Sequence, residues 1–362
     1  MLASTTATRP LLVYLAFGKD TYHQEAVFSI ASAFAAAREC AEPLPDILVF
    51  TDNPSPYRSL PVDVRLLDQP TREAWSEPHG YHFRIKHVAL RQILEERELA
   101  LLIDTDTLFR VSPLRLFERI QPGTLLCNVV SRPYGECRDS PLYTNLHQDL
   151  EARGLADDAM ATLNSGVIGL HRSDAAVLDH SIALMDELYP RGEGAYVLEE
   201  FCLAIAARAR LALADCPDLI HHYWSRKTLF RAKVRAWLRK HGQQPLSDWA
   251  LQDLRRVSLD IPRPSRLQRL AGKLATAGLP MLPRQFMREV LNGFCTPANE
   301  FDQACARAWW DKARENFESR AHSPLTAPQL RGWLETPGVR LLLGQRRHEV
   351  FEHLMAQAVP ER

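Results

Sequence analysis

Between residues 11 and 224, short apolar runs alternate with segments whose apolar positions recur at helical spacing. LLVYLAFG (11–18) is apolar until it stops at a glycine, the pattern of a buried strand. HQEAVFSIASAFAAARE (23–39) then sets Val27, Ile30, Ala31 and Phe34 on one helical face. DILVFTDNP (46–54) predicts a second strand closed by turn residues, and VDVRLLD (62–68) a third. FRIKHVALRQILEERE (83–98) predicts a helix with Ile85, Val88, Ala89 and Ile93 on one side, and LALLI (99–103) a fourth strand, apolar on both faces. TLLCNVV (124–130), ATLNSGVIGLHR (161–172) and DLIHHYW (218–224) predict further strands. A Pro- and Gly-containing loop is expected to about residue 143, with helices at 173–188 and 197–209. This alternation predicts an α/β fold with a mostly parallel sheet covered by helices on both faces. Ligands of such sheets bind beyond the carboxyl ends of the strands. Gly18, Thr51-Asp52 and Asp104-Thr105-Asp106 stand at such ends and are expected to line one crevice.

Beyond about residue 226 the periodicity is helical alone, broken at Pro245, Pro262, Pro264 and Pro280. The expected organisation is therefore a catalytic-type α/β domain over 10–228 and an α-helical C-terminal region over 229–362. Lys+Arg and Asp+Glu balance at 44 each, so net charge marks out no polyanionic partner, and nucleic acid is not expected as one. The seven cysteines are odd in number and show no C-x-x-C or zinc-type spacing, which reads as reduced thiols. MLASTTATRP lacks a signal-peptide core, and LLVYLAF is too short to span a bilayer. A cytoplasmic protein is expected, with contact at the inner face of the membrane left open.

The candidate chemistry lies in LALLIDTDTLF (99–109). Side chains two apart on an extended chain point the same way, so Asp104 and Asp106 can converge on one hard cation. The rest of its shell is then left to water and a diphosphate. Mn²⁺ or Mg²⁺ held there would offset the charge building on a departing nucleoside diphosphate. The same pair also fits phosphoryl transfer, or two polar residues that merely end a strand.

The order of motifs around this pair resembles the GT-A-fold glycosyltransferases, most closely those of family 8, which include glycogenin and bacterial galactosyl- and glucosyltransferases. The resemblance runs over residues 10–228. It implies a GT-A-like sheet and a metal-dependent hexosyltransferase that uses a nucleotide sugar, UDP-linked, with an unidentified glycan, lipid or protein as acceptor. Asp104-Thr105-Asp106 takes the place of the metal-binding D-x-D. Lys86, with Arg84, resembles the cationic helix that meets donor phosphate or nucleoside, where a fixed cation suits a diphosphate on chemical grounds too. Ala16, Phe17 and Gly18 resemble the loop that meets the base, and Asp52 in FTDN stands within the same reach.

Asn164-Ser165-Gly166 resembles the strand beside the donor sugar: glycine lets backbone approach closely, and the amide offers both a donor and an acceptor. Glu199-Glu200 stands where the family has Asp-Gln, in position to serve a sugar hydroxyl or the anomeric centre, or simply to solvate a helix surface. His221-His222 resembles the family's metal-binding histidine. Spacing to Lys227 favours His221 and the local H-Y-W pattern favours His222; neighbours on a strand face opposite ways, so one of them reaches the metal. Lys227 resembles a phosphate-contacting lysine, although Thr228-Leu229 follows it where the family has Pro-Trp.

LLIDTDTLF also satisfies the first motif of haloacid-dehalogenase-type phosphatases, with Asp104 as nucleophile and Asp106 as acid/base. That motif normally follows the first strand of its sheet, whereas three predicted strands precede it here, and Asp157-Asp158 follows no apolar run. A non-catalytic nucleotide-sugar-binding protein is the third reading. In the C-terminal region, SRKTLFRAKVRAWLRKHG (225–242) and RLQRLAGKLATAGLPMLPRQFMREVL (266–291) predict basic amphipathic helices. Both suit an anionic membrane surface or an acidic acceptor, or else pack an apolar side inward with their cations in water. Trp309-Trp310 is expected to anchor a helix in the core.

Overall fold

A computed structural model describes residues 9–192 and 195–356. They form two compact units: the chain up to Tyr223 together with Gln243–Leu251, and Trp224–Gly242 together with the chain from Gln252 onward.

The first unit contains strands β1 (Leu11–Ala16), β2 (Asp46–Thr51), β3 (Asp63–Leu66), β4 (Leu99–Ile103), β5 (Thr107–Phe109), β6 (Thr124–Pro133), β7 (Ala161–His171), β8 (Ala212–Asp215) and β9 (Ile220–His222). Its helices are α1 (Asp20–Cys40), α2 (Gln69–Ser76), α3 (Arg84–Glu96), α4 (Leu114–Phe117), α5 (Pro141–Ala152), α6 (Ala176–Leu188) and α7 (Leu198–Arg208). One sheet runs in the order β3-β2-β1-β4-β7-β6-β8. β1 pairs in parallel with β2 and β4, β2 with β3, and β6 with β8, while β7 lies antiparallel to β4 and β6. Among the described strands of this sheet, β7 alone is reversed. The expected α/β class, with a mostly parallel sheet flanked by helices and a helical C-terminal region, is what the chain builds.

Continuous apolar runs place β1, β2 and β4 in the middle of the sheet, where both faces are covered. Val13, Leu48, Leu102 and Ile168 share a core with Ile85, Ala89 and Ile93 of α3 and with Leu178, Leu184 and Leu203 of α6 and α7. Each large aliphatic side chain buried there contributes about 1.5–3 kcal/mol. Chain order reverses between β1 and β4, which opens a crevice at their carboxyl ends.

Departures from the sequence reading are local. Pro141 stands at the first turn of α5, where its missing N–H is no loss, and Ser140 accepts from Tyr143 N. The proline marks a helix start inside the expected loop. Asp68 caps α2 in the same way, accepting from Thr71 N. β5, β8 and β9 hold three or four residues each, too few to show a period. The last of these shortens the strand expected at 218–224, and it pairs with β5 outside the main sheet.

The second unit is helical: α8 (Lys227–His241), α9 (Asp248–Arg256, which continues from the first unit), α10 (Arg266–Ala275), α11 (Met281–Asn292), α12 (Glu300–Gln303), α13 (Cys305–Ala321), α14 (Ala327–Leu334), α15 (Pro337–Leu343) and α16 (Arg346–Ala356). Phe286, Trp310, Phe317, Leu330 and Val350 lie in its core, so Trp310 is the anchor expected of it. In α8, Leu229, Phe230, Val234 and Trp237 are buried, and the apolar side of this basic helix is therefore not open to a membrane. Lys233 is buried with them. Its Nζ lies 2.7 Å from the carbonyls of Ser258 and Asp260 and from Asp302 Oδ1, which satisfies the charge.

Candidate functional site

Asp104 follows β4 directly, and its N–H donates to Gly166 O at 2.9 Å, extending the pairing of β4 with β7 by one residue. Asp106 lies two residues on and is buried. β9 runs antiparallel to β5 with His222 opposite Thr107, and Tyr223 N donates to Asp106 O. This short ladder carries a histidine from 116 residues downstream to the acidic pair: His222 Nε2 is 3.8 Å from Asp104 Oδ2 and 3.4 Å from Asp106 Oδ2. Ligand atoms of Asp104, Asp106 and His222 all lie within 4.8 Å of one another.

A chain of hydrogen bonds aims the imidazole. Asn164 Nδ2 donates to Glu200 Oε1 at 2.7 Å, which fixes the amide orientation. Its Oδ1 then accepts from Gly166 N and faces His222 Nδ1 at 3.0 Å. The proton between them belongs to Nδ1, so Nε2 is the nitrogen turned toward the carboxylates. Nε2 is buried and makes no hydrogen bond. A nitrogen and two carboxylates this close together are able to share one cation. Two carboxylates and one imidazole are a sound donor set for Mn²⁺, which takes nitrogen more readily than Mg²⁺, with positions left for water and phosphate oxygens. Gly166 makes room for this arrangement, because a methyl at its Cα would overlap Cε1 and Nδ1 of His222.

Lys86 approaches from α3, with Nζ 2.7 Å from Asp104 Oδ1. Burial pushes its ammonium toward deprotonation, but the carboxylates of Asp104, Glu199 and Glu200 outweigh that and raise its pKa. Glu199 and Glu200 lie in the first turn of α7. Glu199 is buried, bonded to His87 Nε2 at 2.8 Å and to Ser165 Oγ at 2.7 Å. Burial pushes it up, yet Lys86, His87 and Ser165 hold it below the usual carboxylate range.

Glu200 is pushed up to about 7, first by burial and then by the charge of Glu199. Adjacent carboxylates thus have opposite characters, one an anion and one able to exchange a proton near neutrality. Between 4.5, the ordinary value, and about 7 the native state binds a proton that the unfolded chain has released. Stability is therefore expected to fall as pH rises through that window and to level off above it. Glu200→Gln should flatten this part of a melting-temperature-against-pH profile. An unchanged slope would show that another group causes it.

The other expected residues are spread over several places. Ala16 ends β1 with Phe17 and Gly18 just past it, and Asp52 follows β2. Asp52 Oδ2 accepts from Gly18 N at 2.9 Å and Oδ1 is 3.3 Å from His23 Nε2, while Arg72 reaches Asp52 at 3.3 Å and lies over Phe17 at 5.6 Å. Thr105 is buried between the two aspartates. His221 faces away from the metal-type cluster, which takes His222. Arg84, expected beside the donor, is instead committed to Asp186 through two bonds of 2.7 and 3.0 Å and to Trp75 O. A paired guanidinium spanning two helices is a clamp. Lys227 opens α8 in the second unit.

The rival acidic pair is also occupied. Asp157 pairs with Arg208, and Asp158 with Arg138 and Tyr143. Sequence reasoning overlooked Arg72, His23, His87 and Tyr81. None of these announced itself: on the face predicted from Ile85, Val88, Ala89 and Ile93, His87 would point outward, whereas the fold buries it. Tyr81 OH accepts from Glu199 N at 3.0 Å, a bond that sequence spacing does not announce.

No known family profile and no curated protein matches the chain. Among solved structures it is similar to the bifunctional glycosyltransferase WbbM, at 12% identity over 60% of this chain and 40% of that one, with a TM-score of 0.39. It is similar to mouse xyloside xylosyltransferase 1, at 15% identity over 57% and 84%, TM-score 0.39. The galactosyltransferase LgtC, in complex with donor and acceptor sugar analogues, gives 15% over 56% and 73%, TM-score 0.38. Likeness at this level transfers no function, which has to be argued from the side chains.

Proposed function

We propose that the first unit is a metal-dependent glycosyltransferase that moves a hexose from a nucleotide sugar, UDP-linked, to an acceptor hydroxyl. The observation that carries this reading is the convergence of Asp104, Asp106 and His222 Nε2 at the carboxyl end of a parallel strand, with Lys86 against the same carboxylate. In the proposal these three residues hold Mn²⁺ or Mg²⁺. When bound, the cation supplies Lewis-acid stabilisation of the departing diphosphate. Lys86 adds a fixed positive charge on the same side, its protonation secured by the carboxylates around it. The Ala16–Gly18 turn and Asp52 border the base. In the proposal Asn164 and Gly166 flank the sugar, and Glu200, bonded to Asn164 Nδ2 and Ser165 N, is assigned to a sugar hydroxyl or the anomeric centre. In the transfer the bond from anomeric carbon to phosphate oxygen breaks, a bond to the acceptor oxygen forms, and the acceptor's hydroxyl proton is released.

Calorimetry and donor hydrolysis test it together. UDP is expected to bind in Mn²⁺ and to lose at least about tenfold in affinity under EDTA, and a panel of UDP-sugars should show slow, metal-dependent release of UDP. Equal binding of UDP in EDTA would exclude the metal-bridged donor. Release of phosphate from monoesters, with beryllofluoride trapped on Asp104, would assign phosphoryl transfer instead.

A further inference from the structure

α10 is turned inside out. Its large apolar residues face solvent, with Leu267 79%, Leu270 54% and Leu274 70% exposed, while its small residue Gly272 is buried. Gly272 lies against Leu291, and Gly338 of α15 packs on the backbone of Ala275, so the helix is held to its unit by the side that carries the least apolar surface. Leucines at i, i+3 and i+7 therefore make a continuous outward stripe. Leu341, 88% exposed, and Leu342 belong to the neighbouring α15, and Met281, 69% exposed, begins α11. An ordinary surface helix of a globular protein has the opposite polarity, and outward apolar stripes of this kind mark surfaces that dock on something.

Charge names the partner. No acidic residue occurs between Asp260 and Glu289, a stretch that contains Arg263, Arg266, Arg269, Lys273, Arg284 and Arg288. Arg266, Arg269 and Lys273 are exposed on α10 itself. Among the described residues no carboxylate pairs with these three, so their charge is available to an external anion. Arg284 and Arg288 instead bond Leu279 O and Thr276. Leucines that point outward beside unpaired cations are the composition of a helix lying in a lipid interface, apolar side down and cations at the headgroups. Nothing in α10 could cross the bilayer: no helix among the described residues is long and apolar enough.

We propose that the helical unit docks on an anionic lipid surface through the outward face of α10, extended by Leu341 of α15. This goes beyond the donor-site reading and does not depend on it. The basic helix α8, whose apolar side is buried, takes no part.

The test is cosedimentation of the full chain with vesicles of phosphatidylcholine, with and without phosphatidylglycerol, in the absence of metal and nucleotide. Wild type is expected to sediment with the anionic vesicles and to be released by high salt, with far weaker binding to phosphatidylcholine alone. The variant L267S/L270S/L274S alters only exposed side chains, so its folding is expected to be intact, as circular dichroism would verify. Its partition onto anionic vesicles should fall at least about tenfold. R266Q/R269Q/K273Q should lose the preference for phosphatidylglycerol. Absence of wild-type binding at low salt, or equal binding by the leucine variant, overturns the proposal. A wild-type dimer in sedimentation velocity that the leucine variant abolishes also overturns it, and would assign the face to a second copy of the chain. Because no arm uses donor or cation, failure here leaves the transferase reading untouched, and failure of that reading leaves this one.

Discussion

Asp104→Asn combined with Asp106→Asn is expected to remove Mn²⁺-dependent UDP binding and to slow sugar transfer by about 10³-fold. Loss of a bound cation's charge stabilisation is worth several kcal/mol, and each 1.4 kcal/mol is a factor of ten in rate. The replacement keeps size and shape while taking away both anionic ligands. It also takes away the 2.7 Å partner of Lys86. Glu199 and Glu200 still surround that ammonium, so the fold is expected to survive with a melting temperature lowered by only a few degrees. Calorimetry with Mn²⁺ and UDP, run beside a thermal melt, separates loss of the site from loss of the protein. Intact turnover in the folded double variant would remove the basis of the transferase reading.

Gly166→Ala should come second in size, and it discriminates more sharply. The added methyl overlaps the His222 ring, whose Nδ1 is bonded to Asn164 at 3.0 Å. The ring has to swing away, which breaks that bond and takes Nε2 off the carboxylates. Metal affinity is expected to drop about 10- to 100-fold, the usual penalty for disturbing the groups that orient a ligand. Stability should fall by about 1–3 kcal/mol from overpacking. The double-mutant cycle with His222→Ala decides the cause. Once the ring is gone the methyl meets only Asn164 Oδ1, at 3.0 Å, which no longer orients a ligand, so Gly166→Ala in that background should change metal affinity hardly at all. Additive losses would mean that Gly166 acts on the site by some route other than His222.

Much of this molecule could be read along the chain. Buried parallel strands announce themselves as unbroken apolar runs, so β1, β2 and β4 and the residues at their ends were legible, and with them Asp104 and Asp106. Lys86 was singled out together with Arg84 through the resemblance, and only the fold separated them, setting Lys86 against Asp104 and Arg84 against Asp186. The short pieces were hidden. β5 and β9 are three residues each and find a strand partner in one another, so neither has a pattern of its own. Choosing between His221 and His222 needs the register of that ladder, because a shift of one residue exchanges the two faces.

Sequence alone determined that the chain folds as an α/β unit followed by helices, and where its paired carboxylates and basic helices lie, since strand and helix periods and strand-end positions are local properties. Tertiary structure decided which charges are available. It committed Arg84 to Asp186, buried Lys233 under two carbonyls and a carboxylate, and gave Glu199 and Glu200 opposite acidities. It also separated two similar basic helices, hiding the apolar side of α8 and exposing that of α10. The reason is physical: pairing, burial and side-chain direction depend on what lies across the fold, and a linear pattern does not contain that neighbour.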